Sequence, residues 1–426
     1  MTPFSSKAYL DMELLRFTTA GSVDDGKSTL IGRLLYDTKS IFEDQLEAVM
    51  KASVQKGNEY INLALFTDGL RSEREQGITI DVAYRYFQTP KRKFIIADTP
   101  GHIQYTRNMV TGASTANATI VLIDARNGVI EQTQRHAYIA HLLGIPELIV
   151  CINKMDLVSY SNDRFNEIVS SFKIFASGLS FSNIYYVPIS ALKGDNVVDL
   201  SSSMPWYQGG SLLNLLEAIP VGITDNSLPA RFSVQYVIRP FSDQYHDYRA
   251  YAGRMESGCL KPGDAVVVLP QNIPSRIKDI VNYKEHPEMV FSPQSVSILL
   301  EDDIDISRGD VIVRRDEKHP SVSQEIEVML CWMNPAPMKM GAKYIVRQGL
   351  REARVVLRDF KYKVDVNTLN KLDTDKSLSM NEIACVILKS TKALVFDPYT
   401  VNRHTGSIIL IDEATNETVG AGMINQ

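Results

Sequence analysis

The chain has 426 residues, of which 44% are hydrophobic and 22% are charged, and its formal net charge is −5. At about 150 residues per domain this length predicts two to four domains, with ample material for packed cores. The sequence has no apolar run near the roughly 20 residues that span a bilayer, no signal-peptide-like opening and no cysteines at redox or metal spacing. We therefore expect a soluble cytoplasmic protein with no membrane partner, and the acidic balance argues against a nucleic-acid partner.

The first predicted element is a short strand at 17–20, which leads into the loop GSVDDGKS at 21–28. This is the pattern GxxxxGK followed by Ser or Thr, which turns backbone N–H groups toward phosphate oxygens at the start of a helix. Lys27 is expected to reach the β- and γ-phosphates, and the Ser28 hydroxyl to ligate Mg²⁺. One of the two acidic residues is expected to order the loop. The predicted phosphate-binding residues are Val23, Asp24, Asp25, Gly26, Lys27, Ser28 and Thr29. The alternative is an incidental glycine-rich turn.

A second apolar strand is predicted at 94–97, and it ends in the sequence Asp98-Thr99-Pro100-Gly101. A continuous apolar run of this kind is typical of a buried parallel strand. Asp98 is then placed to hold Mg²⁺ through its water shell. Gly101 leaves room for a backbone N–H to approach the γ-phosphate.

A third apolar strand, at 148–152, ends in Asn153-Lys154-Met155-Asp156. The carboxylate of Asp156 can accept hydrogen bonds from N1–H and the amino group of guanine. Adenine offers neither donor, and a site that leaves a buried polar group unpaired rejects the wrong ligand by about 10⁴ or more. Asn153, Lys154 and Asp156 therefore form the predicted base-reading motif.

A fourth apolar run, at 185–189, precedes Ser190, Ala191 and Leu192. Because they follow this run, these three residues are expected to bind the base, with the N–H of Ala191 contacting the guanine carbonyl. The four segments together predict that the ligand is GTP or GDP with Mg²⁺.

A polar, charged run at 68–81 separates the phosphate loop from Asp98 and is predicted to be a nucleotide-sensitive loop. The hydroxyl of Thr79 is expected to complete the Mg²⁺ coordination, and its backbone N–H to sense the γ-phosphate. Loss of that phosphate would release the loop, an order–disorder switch. The alternative is a strand residue with a solvent-facing hydroxyl.

His102 directly follows the Asp98–Gly101 segment, near the expected position of an attacking water. It is predicted to orient that water, as a Gln does in other GTPases. Val23 and Ile78 are candidates for an apolar gate that holds the imidazole away until a partner binds. The alternative for His102 is a structural role. No arginine is identifiable as a finger supplied in cis, and Arg74 and Arg107 are only candidates for it.

Strands alternate with helical patterns from about residue 15 to 220, which indicates a parallel sheet covered by helices on both faces. After Pro229 the pattern changes to two series of short strands separated by turn residues, typical of small antiparallel barrels. The predicted fold is an α/β P-loop GTPase domain followed by two small antiparallel β-barrels. The predicted domains are 1–225 (GTP-binding), 226–320 (first barrel) and 321–426 (second barrel).

With these motifs, the chain resembles the translational GTPase superfamily, and within it the large GTPase subunit of bacterial heterodimeric sulfate adenylyltransferase. The segments that carry the closer resemblance are Gly21–Gly26, Asp68–Leu70, Glu73–Tyr86, Tyr105–Met109, Met204–Tyr207 and Asp302–Asp310. One departure is Ile103, where this family is expected to have an acidic residue.

The resemblance implies that a smaller catalytic partner subunit forms adenosine 5′-phosphosulfate and pyrophosphate from ATP and sulfate. GTP hydrolysis by this chain would drive that reaction. It also implies that an adenylylsulfate kinase domain follows the second barrel in some members. Two alternatives stay open: an elongation-factor-like translational GTPase that binds aminoacyl-tRNA, and a regulatory GTPase without coupled chemistry.

Overall fold

The computed structural model describes residues 12–40, 63, 82–100, 106–221, 225–239, 248–365, 368, 370–373 and 376–425. The chain divides into two compact units, one up to Val221 and one that contains the later strands. None of the helices among these described residues is long and apolar enough to cross a membrane.

The first unit contains a six-stranded sheet with the order β2-β3-β1-β4-β5-β6. Its strands are β1 Leu14–Ala20, β2 Ala83–Gln88, β3 Lys93–Asp98, β4 Ala118–Asp124, β5 Glu147–Asn153 and β6 Asn183–Pro188. The edge strand β2 runs antiparallel to β3, and the other pairs are parallel. Every residue of β4 and β5 is buried, as the continuous apolar runs predict for strands covered on both faces.

The helices described in this unit are α1 Lys27–Asp37, α2 Thr106–Ala113, α3 Glu131–Leu142, α4 Asn162–Ala176 and α5 Leu212–Ala218. Ser161 and Ser211 cap α4 and α5 by accepting hydrogen bonds from backbone N–H groups in their first turns. By contrast, the residue before α1 is Gly26, which has no side chain to cap the N–H groups of that helix. The N–H groups at the start of α1 are therefore available to an anion.

The second unit begins with a closed six-stranded barrel of order β10-β11-β13-β8-β7-β14. These strands are β7 Arg231–Ile238, β8 Ala250–Ser257, β10 Ala265–Leu269, β11 Ile273–Val281, β13 Ser295–Leu300 and β14 Val311–Arg314. A short pair, β9 Cys259–Leu260 and β12 Val290–Phe291, lies beside them. Closure leaves no free sheet edge, which matches the predicted first barrel.

The remaining strands form a second barrel of order β17-β22-β23-β15-β21-β18, closed by the pairing of β17 with β18. They are β15 Ser321–Trp332, β17 Lys343–Gln348, β18 Arg351–Val364, β21 Ile383–Phe396, β22 Ser407–Ile411 and β23 Thr418–Ile424. β19 Lys371–Leu372 extends this sheet, and β16 Met338–Lys339 pairs with β20 Ser377–Leu378. The predicted fold class is confirmed.

A buried ion pair links the two barrels. Arg231, at the start of β7, donates two hydrogen bonds to the carboxylate of Asp397, at 3.0 and 2.9 Å. The Thr405 hydroxyl donates to the same carboxylate at 2.9 Å. The Arg231 side chain is only 2% exposed, so each charge depends on the other for compensation.

Candidate functional site

The carboxyl ends of four strands in the parallel part of the sheet carry the predicted nucleotide-binding segments. β1 leads into the phosphate loop, β3 ends at Asp98, β5 ends at Asn153, and β6 is followed by Ser190. Carboxyl ends of parallel strands share one edge of a sheet, which is where open α/β sheets bind ligands. The sheet therefore brings the separate motifs to a single edge.

The phosphate loop has the backbone geometry that its glycines predict. Gly26 has a φ of 93°, and a Cβ at this position would lie 2.4 Å from Nδ2 of Asn153. Asp24 also has a positive φ, 68°. A side chain at Gly26 is thus excluded both by backbone conformation and by contact with the base-reading motif.

Asp25 is the acidic residue that orders this loop, because its carboxylate accepts a hydrogen bond from the N–H of Ser22 at 2.6 Å. Burial raises the pKa of Asp25, while the Ser22 hydrogen bond and the Lys27 charge oppose that rise. Asp24 is exposed. The two neighbouring carboxylates therefore differ in role.

Lys27 is buried at the start of α1, and its ammonium group donates to the carbonyls of Gly21 at 2.6 Å and Ser22 at 2.9 Å. Burial lowers the pKa of Lys27, and the nearby charges of Asp98, Asp25 and Asp24 oppose the decrease. A buried cation at a helix N-terminus that has no side-chain cap fits the phosphates of a nucleotide.

Asn153 joins the phosphate loop to the Ser190–Leu192 segment. Its Nδ2 donates to the carbonyl of Asp25 at 2.7 Å, and its Oδ1 accepts from the N–H of Ala191 at 2.9 Å. The N–H predicted to contact guanine thus has a protein partner, and Asn153 acts here as a bridge between two loops. A role of Ala191 in reading the base stays a prediction.

Asp124, at the end of β4, is a charged residue that the sequence reasoning missed. Its carboxylate accepts from Lys154 at 2.9 Å and from the guanidinium of Arg126 at 2.6 Å. Burial opposes ionisation of Asp124, but the hydrogen bonds from Arg126 and Lys154 outweigh it and lower the pKa to about 2. An acidic residue that ends an apolar strand, as Asp98 does, was the available signal.

Asp156, the predicted base-reading residue, lies in the short 3₁₀ helix Met155–Val158, which follows Lys154 with its φ of 63°. The next turn is held in place by Tyr160, whose hydroxyl donates to Asp195 at 2.8 Å. The indole N–H of Trp206 donates to the Tyr160 carbonyl at 3.0 Å. Through this hydrogen bond, the Met204–Tyr207 segment holds in place the turn that follows Asp156.

Asp98 and Ser28 supply the oxygen atoms that Mg²⁺ prefers. Asp98 is 1% exposed, and its carboxylate accepts from the hydroxyl of Thr19, its register partner on β1, at 3.4 Å. Ser28 is the second residue of α1. A buried carboxylate and a helix-terminal hydroxyl fit a hydrated magnesium ion.

Several predicted residues lie outside the described part of the chain: Ile78, Thr79, Gly101 and His102. Their roles stay predictions. Val23, the other half of the predicted gate, is described and has a side chain that is 42% exposed on the phosphate loop. Ser190 is buried, and its hydroxyl accepts from the N–H of Lys193 at 3.3 Å. Thr29 is half-buried on α1.

Comparison with known proteins identifies the family. The model of the elongation factor Tu GTP binding domain matches residues 12–220, and that of the GTP-eEF1A C-terminal domain matches residues 325–425. Sulfate adenylyltransferase subunit 1 of Bacteroides fragilis is 51% identical over 424 residues, covering 98% of this chain and 88% of the relative. The chain belongs to the sulfate adenylyltransferase subunit 1 family.

Other relatives agree with this membership. Subunit 1 of Alteromonas mediterranea is 51% identical, over 97% of this chain and 87% of its own length. The bifunctional enzyme CysN/CysC of Mycobacterium tuberculosis is 52% identical, over 96% of this chain and 67% of its own. The S. cerevisiae Ski7 GTPase-like domain bound to GTP, at 18% identity, 99% coverage of both chains and a TM-score of 0.51, shares the fold.

Membership gives the described geometry its chemical meaning. Residues 12–220 match a GTP-binding domain, so the ligand of this chain is a guanine nucleotide. The prediction of a GTPase of this family is confirmed.

Proposed function

We propose that this chain is the GTPase subunit of a sulfate adenylyltransferase and that its GTP hydrolysis drives a reaction in a smaller catalytic subunit. That reaction joins ATP and sulfate to give adenosine 5′-phosphosulfate and pyrophosphate. The observation that carries the proposal is the identity of about half of all residues to proteins named sulfate adenylyltransferase subunit 1, across nearly the whole chain. The linked phosphate and base motifs support it.

The described contacts support a specific mode of nucleotide binding. Lys27 and the N–H groups at the start of α1 hold the phosphates, and Asp156 accepts from the guanine ring. The bridge made by Asn153 fixes the phosphate loop relative to the base site, so one nucleotide can occupy both at once. Phosphate charge also offsets the cost of burying Lys27.

Ser28 and Asp98 would hold the magnesium ion, together with Thr79. When bound, Mg²⁺ supplies positive charge that neutralises the negative charge developing on the phosphate oxygens. His102 orients the attacking water. The apolar pair Val23 and Ile78 keeps the His102 imidazole away from that water until the partner binds.

Coupling to the partner requires differential binding. GTP favours the reactive state of the small subunit only if the two subunits contact each other differently with Thr79 docked and undocked. Hydrolysis then resets the interface. Hydrolysis by the isolated chain is expected to be slow, on the order of 10⁻³ s⁻¹ or less, as in other switch GTPases.

The test measures GTP hydrolysis and pyrophosphate release together, with and without a co-purified small subunit, ATP and sulfate. We expect both signals to rise only when every component is present. A rate of GTP hydrolysis that does not change when ATP and sulfate are added would refute the coupling. Salt-sensitive binding of aminoacyl-tRNA would then favour the translational alternative. The variant His102→Ala should bind GTP normally and hydrolyse it slowly in the full mixture.

A further inference from the structure

Arg33 connects helix α1 to the loop that follows β6. Its Nε donates to the carbonyl of Ala191 at 3.2 Å, and its Nη2 donates to the carbonyl of Leu192 at 2.6 Å. The third nitrogen, Nη1, lies 3.3 Å from the carboxylate of Asp37 one turn further along the helix. The side chain is 18% exposed, and all three guanidinium nitrogens have a protein partner.

These contacts determine how the loop presents its N–H groups. A trans peptide unit is planar, with its C=O and the following N–H pointing in opposite directions. Because Arg33 holds the carbonyl of Ala191, the N–H of Leu192 points away from Arg33. The N–H of Ala191 already donates to Asn153, at 2.9 Å. The held carbonyl of Leu192 likewise orients the N–H of Lys193, which donates to the Ser190 hydroxyl at 3.3 Å. The N–H that the Arg33 guanidinium orients, and that neither Asn153 nor Ser190 uses, is therefore that of Leu192.

We propose that Arg33 is a positioning residue for base recognition: by holding the carbonyls of Ala191 and Leu192, it directs the N–H of Leu192 toward O6 of guanine. The inference rests on the binding of guanine nucleotides by this chain. Arg33 does not touch the nucleotide in this role.

The same helix gives Arg33 a fixed relation to the phosphate site. α1 starts at Lys27, and Arg33 is six residues further on, about 9 Å along the axis at 1.5 Å per residue. The loop also passes close to the Arg33 stem, since a Cβ at Gly194 would lie 3.6 Å from the Arg33 Cδ. One rigid element thus sets the distance between the phosphate-binding end and the base-reading loop.

Arginine suits this role because its planar fork can hold two adjacent carbonyls at once, whereas a lysine ammonium is a point donor on a flexible stem. Arg33→Lys should therefore keep the charge and much of the packing but hold the loop less firmly. Arg33→Ala removes both bonds. The two variants should form a graded series.

The experiment compares full-length wild type, Arg33→Lys and Arg33→Ala in direct binding of three ligands. GDP carries every recognised group, IDP keeps O6 and lacks the amino group, and 6-thio-GDP replaces O6 with a weakly accepting sulfur. Loss of the hydrogen bond from the Leu192 N–H to O6 should raise the Kd of Arg33→Ala for GDP and for IDP by roughly tenfold each. The Kd for 6-thio-GDP should rise only about twofold, because the hydrogen bond to sulfur is already weak in the wild type. Arg33→Lys should fall between.

Equal weakening of all three ligands would overturn the proposal, since a general distortion of the site cannot distinguish O6 from sulfur. Unchanged GDP binding in folded Arg33→Ala would also overturn it. If Arg33→Ala does not fold, the ligand ranking of Arg33→Lys decides. Asp37→Asn is the matched control, because it alters the third Arg33 contact and leaves both carbonyl contacts in place; it should change no affinity more than about twofold. Wild type that binds no GDP would refute the proposed function itself, a separate outcome.

Discussion

Replacing Asn153 with alanine should weaken nucleotide binding more than any loss of a single contact. The side chain is 2% exposed and joins the carbonyl of Asp25 to the N–H of Ala191. Alanine leaves both groups without this partner. A buried unsatisfied backbone group costs about 1–3 kcal/mol, so the two together cost about 2–6 kcal/mol.

The variant can recover part of that cost by letting the two loops separate and admit water. Nucleotide binding must then bring the loops together again, so the penalty appears as lost affinity. At the lower bound of about 2 kcal/mol, the Kd for GDP should rise by about 30-fold or more. Titration with a fluorescent GDP analogue measures the lost affinity, and thermal unfolding without nucleotide measures the lost stability.

Asn196→Ala provides a matched control. Asn196 is also buried, donating to the carbonyl of Pro188 at 2.9 Å and accepting from the N–H of Ser201 at 2.8 Å, but these bonds do not involve the phosphate loop. Asn196→Ala should lose about as much stability as Asn153→Ala, while its Kd for GDP changes by less than about threefold. The reasoning fails if Asn153→Ala binds GDP like wild type, or if the two variants lose affinity equally.

Three further changes test other parts of the structure. Gly26→Ala places a Cβ 2.4 Å from Asn153 Nδ2 at a φ of 93°, so GDP affinity in the same titration should fall by about 100-fold or more, and near-normal binding would contradict the clash. Burial and the charges of Lys27 and Arg135 lower the pKa of His136 from 6.5 to about 3. The neutral imidazole therefore stabilises the fold fully above about pH 6.5, and this stability is lost as pH falls toward 3. His136→Gln should flatten the pH dependence of unfolding across that window; an unchanged slope would rule this out. Arg231→Met leaves the Asp397 carboxylate buried without its cation and should cost about 3–5 kcal/mol in denaturant unfolding, whereas the double variant Arg231→Met with Asp397→Leu should recover much of the loss.

Much of the candidate site can be predicted from sequence because each segment is local. A phosphate loop, an acidic residue after a strand and the Asn153–Asp156 motif each carry their own spacing, and each follows an apolar run long enough to predict a buried strand. The alternation of strands and helices, followed by short strands, was likewise sufficient for the three-part fold.

Tertiary structure decided which of these groups contact one another. Arg33 lies 158 residues before Ala191 in sequence, and Asn153 lies 128 residues after Asp25, so no local pattern relates the members of either pair. Asp124 became part of the site only because β4 lies between β1 and β5 in the sheet. Residue types and their spacing determine which chemistry is available along the chain. The order of strands, set by burial of apolar residues over long sequence separations, determines which donor meets which acceptor.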